Sequence, residues 1–157
     1  MSSFSDFERI ARSAGNHTDA AEKPSDEHPF EDRNIHADLP KEVRRLFDNA
    51  HYSQATFEAL KFVDEEIQRL AKSSDFGQSL MMDAFNEKKP TLALNALQTA
   101  SEISEQAGFK FLFAGTMTGI RNPRGHMSGV TDDPDTCLDH LGLASLLLRR
   151  LDEAGLR

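Results

Sequence analysis

Phe57, Leu60, Val63, Ile67 and Leu70 recur at intervals of three and four, a spacing that lines them up along one side of an α-helix. The period predicts a helix over about 53–72, which Ser53 can cap and Asp75-Phe76-Gly77 breaks. Its other face, with Lys61, Asp64, Glu65, Gln68 and Arg69, reads as solvated surface. The same logic applies along the chain. Val43, Leu46 and Phe47 fall on one side of a helix from Lys41 to Ala50. Leu80-Met81-Met82 with Ala84 and Phe85 forms a short apolar helix. Lys88-Lys89-Pro90 is a turn, and 91–97 is a short helix or an extended loop. A helix from Thr99 to about Ile120 would turn Ile103, Ala107, Phe111, Ala114 and Met117 or Thr118 inward, with Phe109, Leu112 and Phe113 widening that face. Gly108, Gly115 and Gly119 recur near one side and would admit another helix closely, at some cost in propensity. The last helix, about 135–153, carries Leu138, Leu141, Ala144 or Ser145, Leu148 and Leu151 on one stripe, with Leu143, Leu146 and Leu147 beside it. No strand alternation exceeds four residues. The expected class is all-α, an up-and-down bundle of four to five helices.

Residues 1–34 differ from this pattern. They are polar and nearly empty of aliphatics after Ile10, and 13–34 reads as a flexible leader. Phe4, Phe7 and Ile10 have helical spacing and could form a short docking helix. The domain proper is expected over 35–157. A net charge of −8 argues against a broad basic face for nucleic acid, yet allows one small basic pocket. Cys137 is the single cysteine, so no intrachain disulfide can form. No apolar run approaches membrane-spanning length, and the start MSSFSDFERIARS lacks the apolar core of a secretory signal. A cytoplasmic protein with no membrane partner is expected.

Gly119-Ile120-Arg121-Asn122-Pro123-Arg124-Gly125-His126 concentrates two arginines and a histidine. Pro123 has no amide proton, and its ring opposes the carbonyl four residues back. A helix–helix junction is expected there, with Arg121 ending one helix, Asn122 capping the next and Pro123 in its first position. Arg121, Asn122, Arg124 and His126 can all hold an oxyanion, and Arg124 is a candidate for binding substrate. An arginine that grips phosphate beside an imidazole that titrates near neutrality suits phosphodiester chemistry. The blander alternative is an arginine at a helix end and a histidine on a loop.

Other chemistry is thinner. Cys137 and His140 lie one helical turn apart and His126 is nearby, but structural zinc wants four closely spaced ligands, and no metal or other cofactor is expected. Cys137 as a nucleophile has no supporting motif; it reads better as a small buried hydrophobe. No glycine spacing matches a phosphate-binding loop. Asp132-Asp133-Pro134-Asp135 reads as a turn and the cap of the last helix.

The spacing Arg121-Asn122-x-x-x-His126 resembles the R-x(4–6)-H signature of HEPN domains, small helical bundles common in prokaryotic defence and toxin systems. The likeness widens through Phe47-Asp48-Asn49-Ala50-His51-Tyr52-Ser53-Gln54-Ala55, Gly77-x-x-Leu80-Met81, Glu102-x-x-Glu105-Gln106-Ala107-Gly108, Phe113-Ala114-Gly115 and Leu138-Asp139-His140-Leu141. Over about residues 35–155 the chain resembles the Ymh-type branch of that superfamily. The resemblance implies a metal-independent endoribonuclease in which two protomers each contribute an arginine and a histidine to a shared cleft. A ribose 2′-hydroxyl would attack the adjacent phosphorus. His126 would carry the proton, Arg121 would hold a phosphoryl oxygen and offset developing charge, and Asn122 would orient either. The products would be a 2′,3′-cyclic phosphate and a 5′-hydroxyl. The expected setting is an effector in phage defence, a toxin–antitoxin pair or a stress response, with RNA as substrate and a regulatory or antitoxin partner. Two rival readings are a non-catalytic module that binds RNA, a nucleotide or a protein, and an acidic neutralising partner of a toxin.

Overall fold

The computed structural model describes residues 27–126 and 129–157. The docking helix expected around Phe4, Phe7 and Ile10 lies outside the described residues. All regular structure among those described is helical: α1 (Pro29–Asp32), α2 (Lys41–Asp48), α3 (Tyr52–Ala71), α4 (Gly77–Ala84), α5 (Ala100–Thr116), a π-helical turn (Met117–Arg121), α6 (Asn122–His126) and α7 (Pro134–Glu153). The chain is an all-α bundle.

Helix α3 is its hub, in contact with α2, α4, the π-turn, α6 and α7. The three–four stripe explains why. Leu60, Val63 and Ile67 are fully buried, as are Leu141, Leu147, Leu148 and Leu151 of α7. Complete burial of such a side chain contributes about 1.5–3 kcal/mol. Asp133 caps α7 by accepting from the Thr136 amide at 3.0 Å, and Pro134 occupies the first turn, as the acid run suggests. Thr99 and Glu102 close a capping box on α5. Ser53 does not cap α3. The N-cap is His51, and the Ser53 hydroxyl instead accepts from the Asp132 amide at 2.7 Å.

The stretch between α4 and α5 is an irregular loop, the second of the two expected states, and it changes what α5 buries. Gln106 accepts from the Leu94 amide (2.9 Å) and donates to the carbonyls of Leu92 (2.9 Å) and Phe85 (3.2 Å). Lys110 meets Glu87 at 2.6 Å. A loop without its own ladder must satisfy its backbone through side chains, so Gln106 faces inward, and Lys110 joins it to pair with the Glu87 carboxylate, beside Phe113, Ala114 and Met117. The inner face expected from apolar spacing is therefore corrected. Ile103, Phe111 and Leu112 point to solvent.

Residues 28–34, read as leader, pack on the domain: Phe30 is buried with its ring centroid 5.3 Å from that of Phe47, and His28 bonds Asp48 at 2.8 Å. The packed chain thus reaches back at least to His28.

The expected junction is also corrected. Asn122 is helical (φ −62°, ψ −45°), not a cap, and helical backbone runs on through Pro123 to His126. The π-turn accommodates the proline. The Asn122 amide bonds Met117 O, five residues back, which opens the ladder by one residue where the proline removes a donor and crowds a carbonyl.

Candidate functional site

The π-turn and α6 lie across α3, and Phe57 of α3 is where they meet. The Arg121 guanidinium sits 5.6 Å from the Phe57 ring centroid. Gly125, one turn later, approaches the same ring so closely that a Cβ there would stand 2.7 Å from Cε2 of Phe57. The glycine is what allows α6 to settle on α3.

Two turns along α3 from Phe57, Asp64 is 3% exposed. Its Oδ1 accepts from the Gly77 amide at 2.9 Å, and its Oδ2 lies 3.6 Å from Nη2 of Arg121. Burial pushes the Asp64 carboxyl above its ordinary range, against the opposing pull of the Gly77 amide and the Arg121 charge. Asp64 is therefore not on the solvated face expected of it but inside. Four residues after Leu60 and three before Ile67, it belongs to the inner stripe, a signal masked by its charge.

Arg121 is itself held mostly inside, with 18% of its side chain exposed. Its Nη1 reaches Asn122 Oδ1 at 3.3 Å, and its Nε is buried without a hydrogen-bond partner. Its Nε is enclosed, but a part-buried guanidinium whose Nη groups make only a soft contact to one carboxylate and a long bond to a neighbour retains capacity for an oxyanion.

Arg124 is engaged differently. It forms a two-pronged pair with Asp132, Nε to Oδ2 at 2.7 Å and Nη2 to Oδ1, and its Nη1 donates to the Ile120 carbonyl at 2.9 Å. Both side chains are nearly buried. Burial works to raise the Asp132 carboxyl, but the Arg124 fork and charge outweigh it and leave it below its usual range. Arg124 lines a surface cavity of about 400 Å³ with His51, Gln54 and Thr131, yet three of its donors are already used. In this structure Arg124 ties the motif to the N-terminal approach of α7.

His126 ends α6 and is exposed. Helical geometry separates it from Arg121 by about 140° around the axis, whereas Asn122, four residues earlier, shares its flank. The fold thus brings Arg121 to Asp64, Phe57 and Asn122, and leaves His126 on the outer side.

Cys137 is fully buried, 3.3 Å from the Tyr52 carbonyl and 3.6 Å from Thr56 Oγ1. Burial pushes its thiol up to about 11, so it is a core residue and a poor nucleophile. Burial and then the Arg124 charge lower the His140 imidazole. Among the described residues no group of three or more His, Cys, Asp or Glu is placed to hold a metal ion, and no helix is long and apolar enough to cross a membrane.

No curated protein and no solved structure matches the chain. The sequence model of one family does match, over residues 33–151, the span that holds α2 to α6 and nearly all of α7. With three quarters of its length so covered, the chain belongs to the family described as "Protein of unknown function (Hypoth_ymh)".

Proposed function

We propose that the protein is a metal-independent endoribonuclease of HEPN type, acting as a homodimer with a composite site, in phage defence or a toxin or stress response. The observation that carries this reading is Arg121: a part-exposed guanidinium held by Asp64 and Phe57, five residues before an exposed imidazole on the same helical rod. Arg121 would hold a non-bridging phosphoryl oxygen, and its charge would stabilise the phosphorane-like transition state. His126 would take the 2′-hydroxyl proton or protonate the 5′-leaving oxygen. Asn122 would align the phosphate.

With Arg121 and His126 on different flanks of the rod, this reading requires the arginine of one copy to face the histidine of the other. The outer face of α5 supports such pairing. Ser104, Gly108, Phe111, Leu112, Gly115, Thr118 and Gly119 are exposed, carry no charge and form one strip leading to the motif. Arg124 keeps a role near the substrate through its cavity, but its first task is holding Asp132.

The test is RNA cleavage by the purified chain in EDTA, with Arg121→Ala and His126→Ala beside it. Cleavage that yields 2′,3′-cyclic phosphate ends and disappears in both variants supports the reading. Cleavage that needs a divalent metal, or survives either substitution, contradicts it. The outward placement of His126 favours one alternative, a module that binds RNA, a nucleotide or a protein partner without cutting. Retained binding of RNA with no cleavage under any condition would select it.

A further inference from the structure

Phe76 is 66% exposed, more than any other large hydrophobic among the described residues. It is the N-cap residue of α4, with extended backbone (φ −148°, ψ 164°) and no side-chain cap. Helices favour Ser, Thr, Asp or Asn there, because those side chains can accept from the first-turn amides. A phenyl ring cannot, so the needs of α4 do not explain this residue. Core packing does not explain it either.

Its backbone is nevertheless fixed on both sides. The Asp75 carbonyl accepts from Gln68 Nε2 at 2.7 Å, and the Asp75 amide donates to Ser73 Oγ at 3.1 Å. The Gly77 amide is held by Asp64 Oδ1 at 2.9 Å. That carboxylate is the one whose other oxygen faces Arg121. One buried aspartate thus positions both the candidate phosphate grip and the peptide that carries the exposed ring. The Gly77 amide and the guanidinium are separated by a single carboxylate and its two contacts. Helix α4, which Phe76 begins, also packs against the π-turn that carries Arg121.

We infer that Phe76 is a stacking platform for a nucleobase of single-stranded RNA, next to the phosphate held by Arg121. The inference rests on the ribonucleotide reading of Arg121. Aromatic rings bind unpaired bases through their π-faces with little sequence preference. One such ring also adds affinity without positive charge, which suits a chain of net charge −8.

The chain contains no tryptophan, so Phe76→Trp gives a protein with one indole, at the proposed platform. The experiment titrates a single-stranded RNA 20-mer into full-length protein carrying His126→Ala, to prevent turnover. Anisotropy of labelled RNA reports affinity, and indole emission reports stacking. The expected results are quenching of the Phe76→Trp emission by RNA, near-parental affinity for that variant, and a loss of roughly five- to hundredfold for Phe76→Ala with unchanged far-UV circular dichroism. Parental affinity in Phe76→Ala, or no quenching in Phe76→Trp, would overturn the inference. So would weakened self-association in Phe76→Ala with RNA affinity intact, which would make the ring a protein contact. The two readings separate cleanly. Quenching and Phe76-dependent binding with no cleavage by the unsubstituted protein would remove the nuclease and keep the platform. Cleavage that depends on Arg121 but is indifferent to Phe76 would do the reverse. An absence of RNA binding in every variant would remove both.

Discussion

Asp64 is the residue on which the candidate site turns, because it is buried, charged and shared. Burying a carboxylate is costly unless it is well paired, and its contact to Arg121, at 3.6 Å, is loose. With its folded pKa raised, the group binds protons more readily folded than unfolded. Its contribution to stability is therefore fully present below the unfolded value and is lost as pH rises through the folded value. At neutral pH the charged carboxylate weighs against folding. Asp64→Asn can keep the acceptor for the Gly77 amide and removes that charge. Its unfolding free energy in a urea titration is expected within about 1 kcal/mol of the parent, or above it. RNA cleavage should fall at least about tenfold, because Arg121 loses its ionic partner. A variant that loses stability sharply, or cleaves normally, would show that Asp64 serves the fold alone. Arg121→Lys should also lose most activity, since a point charge cannot reproduce the planar fork.

At the scale of elements, the contact of α6 with α3 and the tie from Arg124 to Asp132 set where the motif lies. Gly125→Ala drives a methyl into the Phe57 ring and should cost about 1–3 kcal/mol. Thermal unfolding would measure the loss, and Phe57→Leu in the same chain should recover part of it. Arg124→Ala leaves Asp132 buried without its counter-ion and should cost about 3–5 kcal/mol. Asp132 has a depressed folded pKa, the opposite sign to Asp64. Its stabilisation is present above the unfolded carboxyl value and lost as pH falls through the folded one. Asp132→Asn should therefore flatten the acid side of the stability–pH curve, read from urea midpoints between about pH 5 and pH 2.

The spacing of apolar residues made α2, α3 and α7 legible because those helices bury what their sequences advertise: Val43, Leu60 and Leu148 are all fully enclosed. The inner face of helix α5 departs from its apolar period for a non-local reason. Gln106 and Lys110 face inward to serve a loop that ends before the helix begins, and that demand is invisible in the period of α5 itself. The motif is legible in the sequence, but its backbone is not. Asn-Pro suits a new helix start equally well, and only the wider π-turn, with Thr116 and Thr118 bonding back to the carbonyls of Leu112 and Ala114, lets the old helix continue. Asp64 has the spacing of the buried stripe, four residues after Leu60 and three before Ile67, and only its charge assigns it to the solvated face.

For the molecule as a whole, the exposed uncharged strip of α5 is the surface that pairing would cover. Phe111 is 60% exposed and Leu112 46%, and a Cβ at Gly108, Gly115 or Gly119 would meet nothing within 4 Å. Such a strip lets two helices approach closely, with the Lys110 ammonium, 4.8 Å from the Phe111 ring centroid, as the nearby charge. On the proposed pairing, the unsubstituted protein should be a dimer in light scattering after size exclusion, and Phe111→Glu or Gly115→Arg should make it a monomer, leave its helicity intact and abolish cleavage. A protein that is monomeric from the start yet cleaves RNA would show that one copy suffices.

The most direct measurement mixes two inactive proteins. Arg121→Ala and His126→Ala variants, each expected to be inactive alone, are combined after brief dissociation and assayed on RNA in EDTA. If the arginine of one copy works with the histidine of the other, random re-pairing restores one intact cleft in each mixed dimer, and activity should return to roughly a quarter of the parental level. A mixture that stays as inactive as its components, although exchange of subunits is demonstrated, would contradict the shared site.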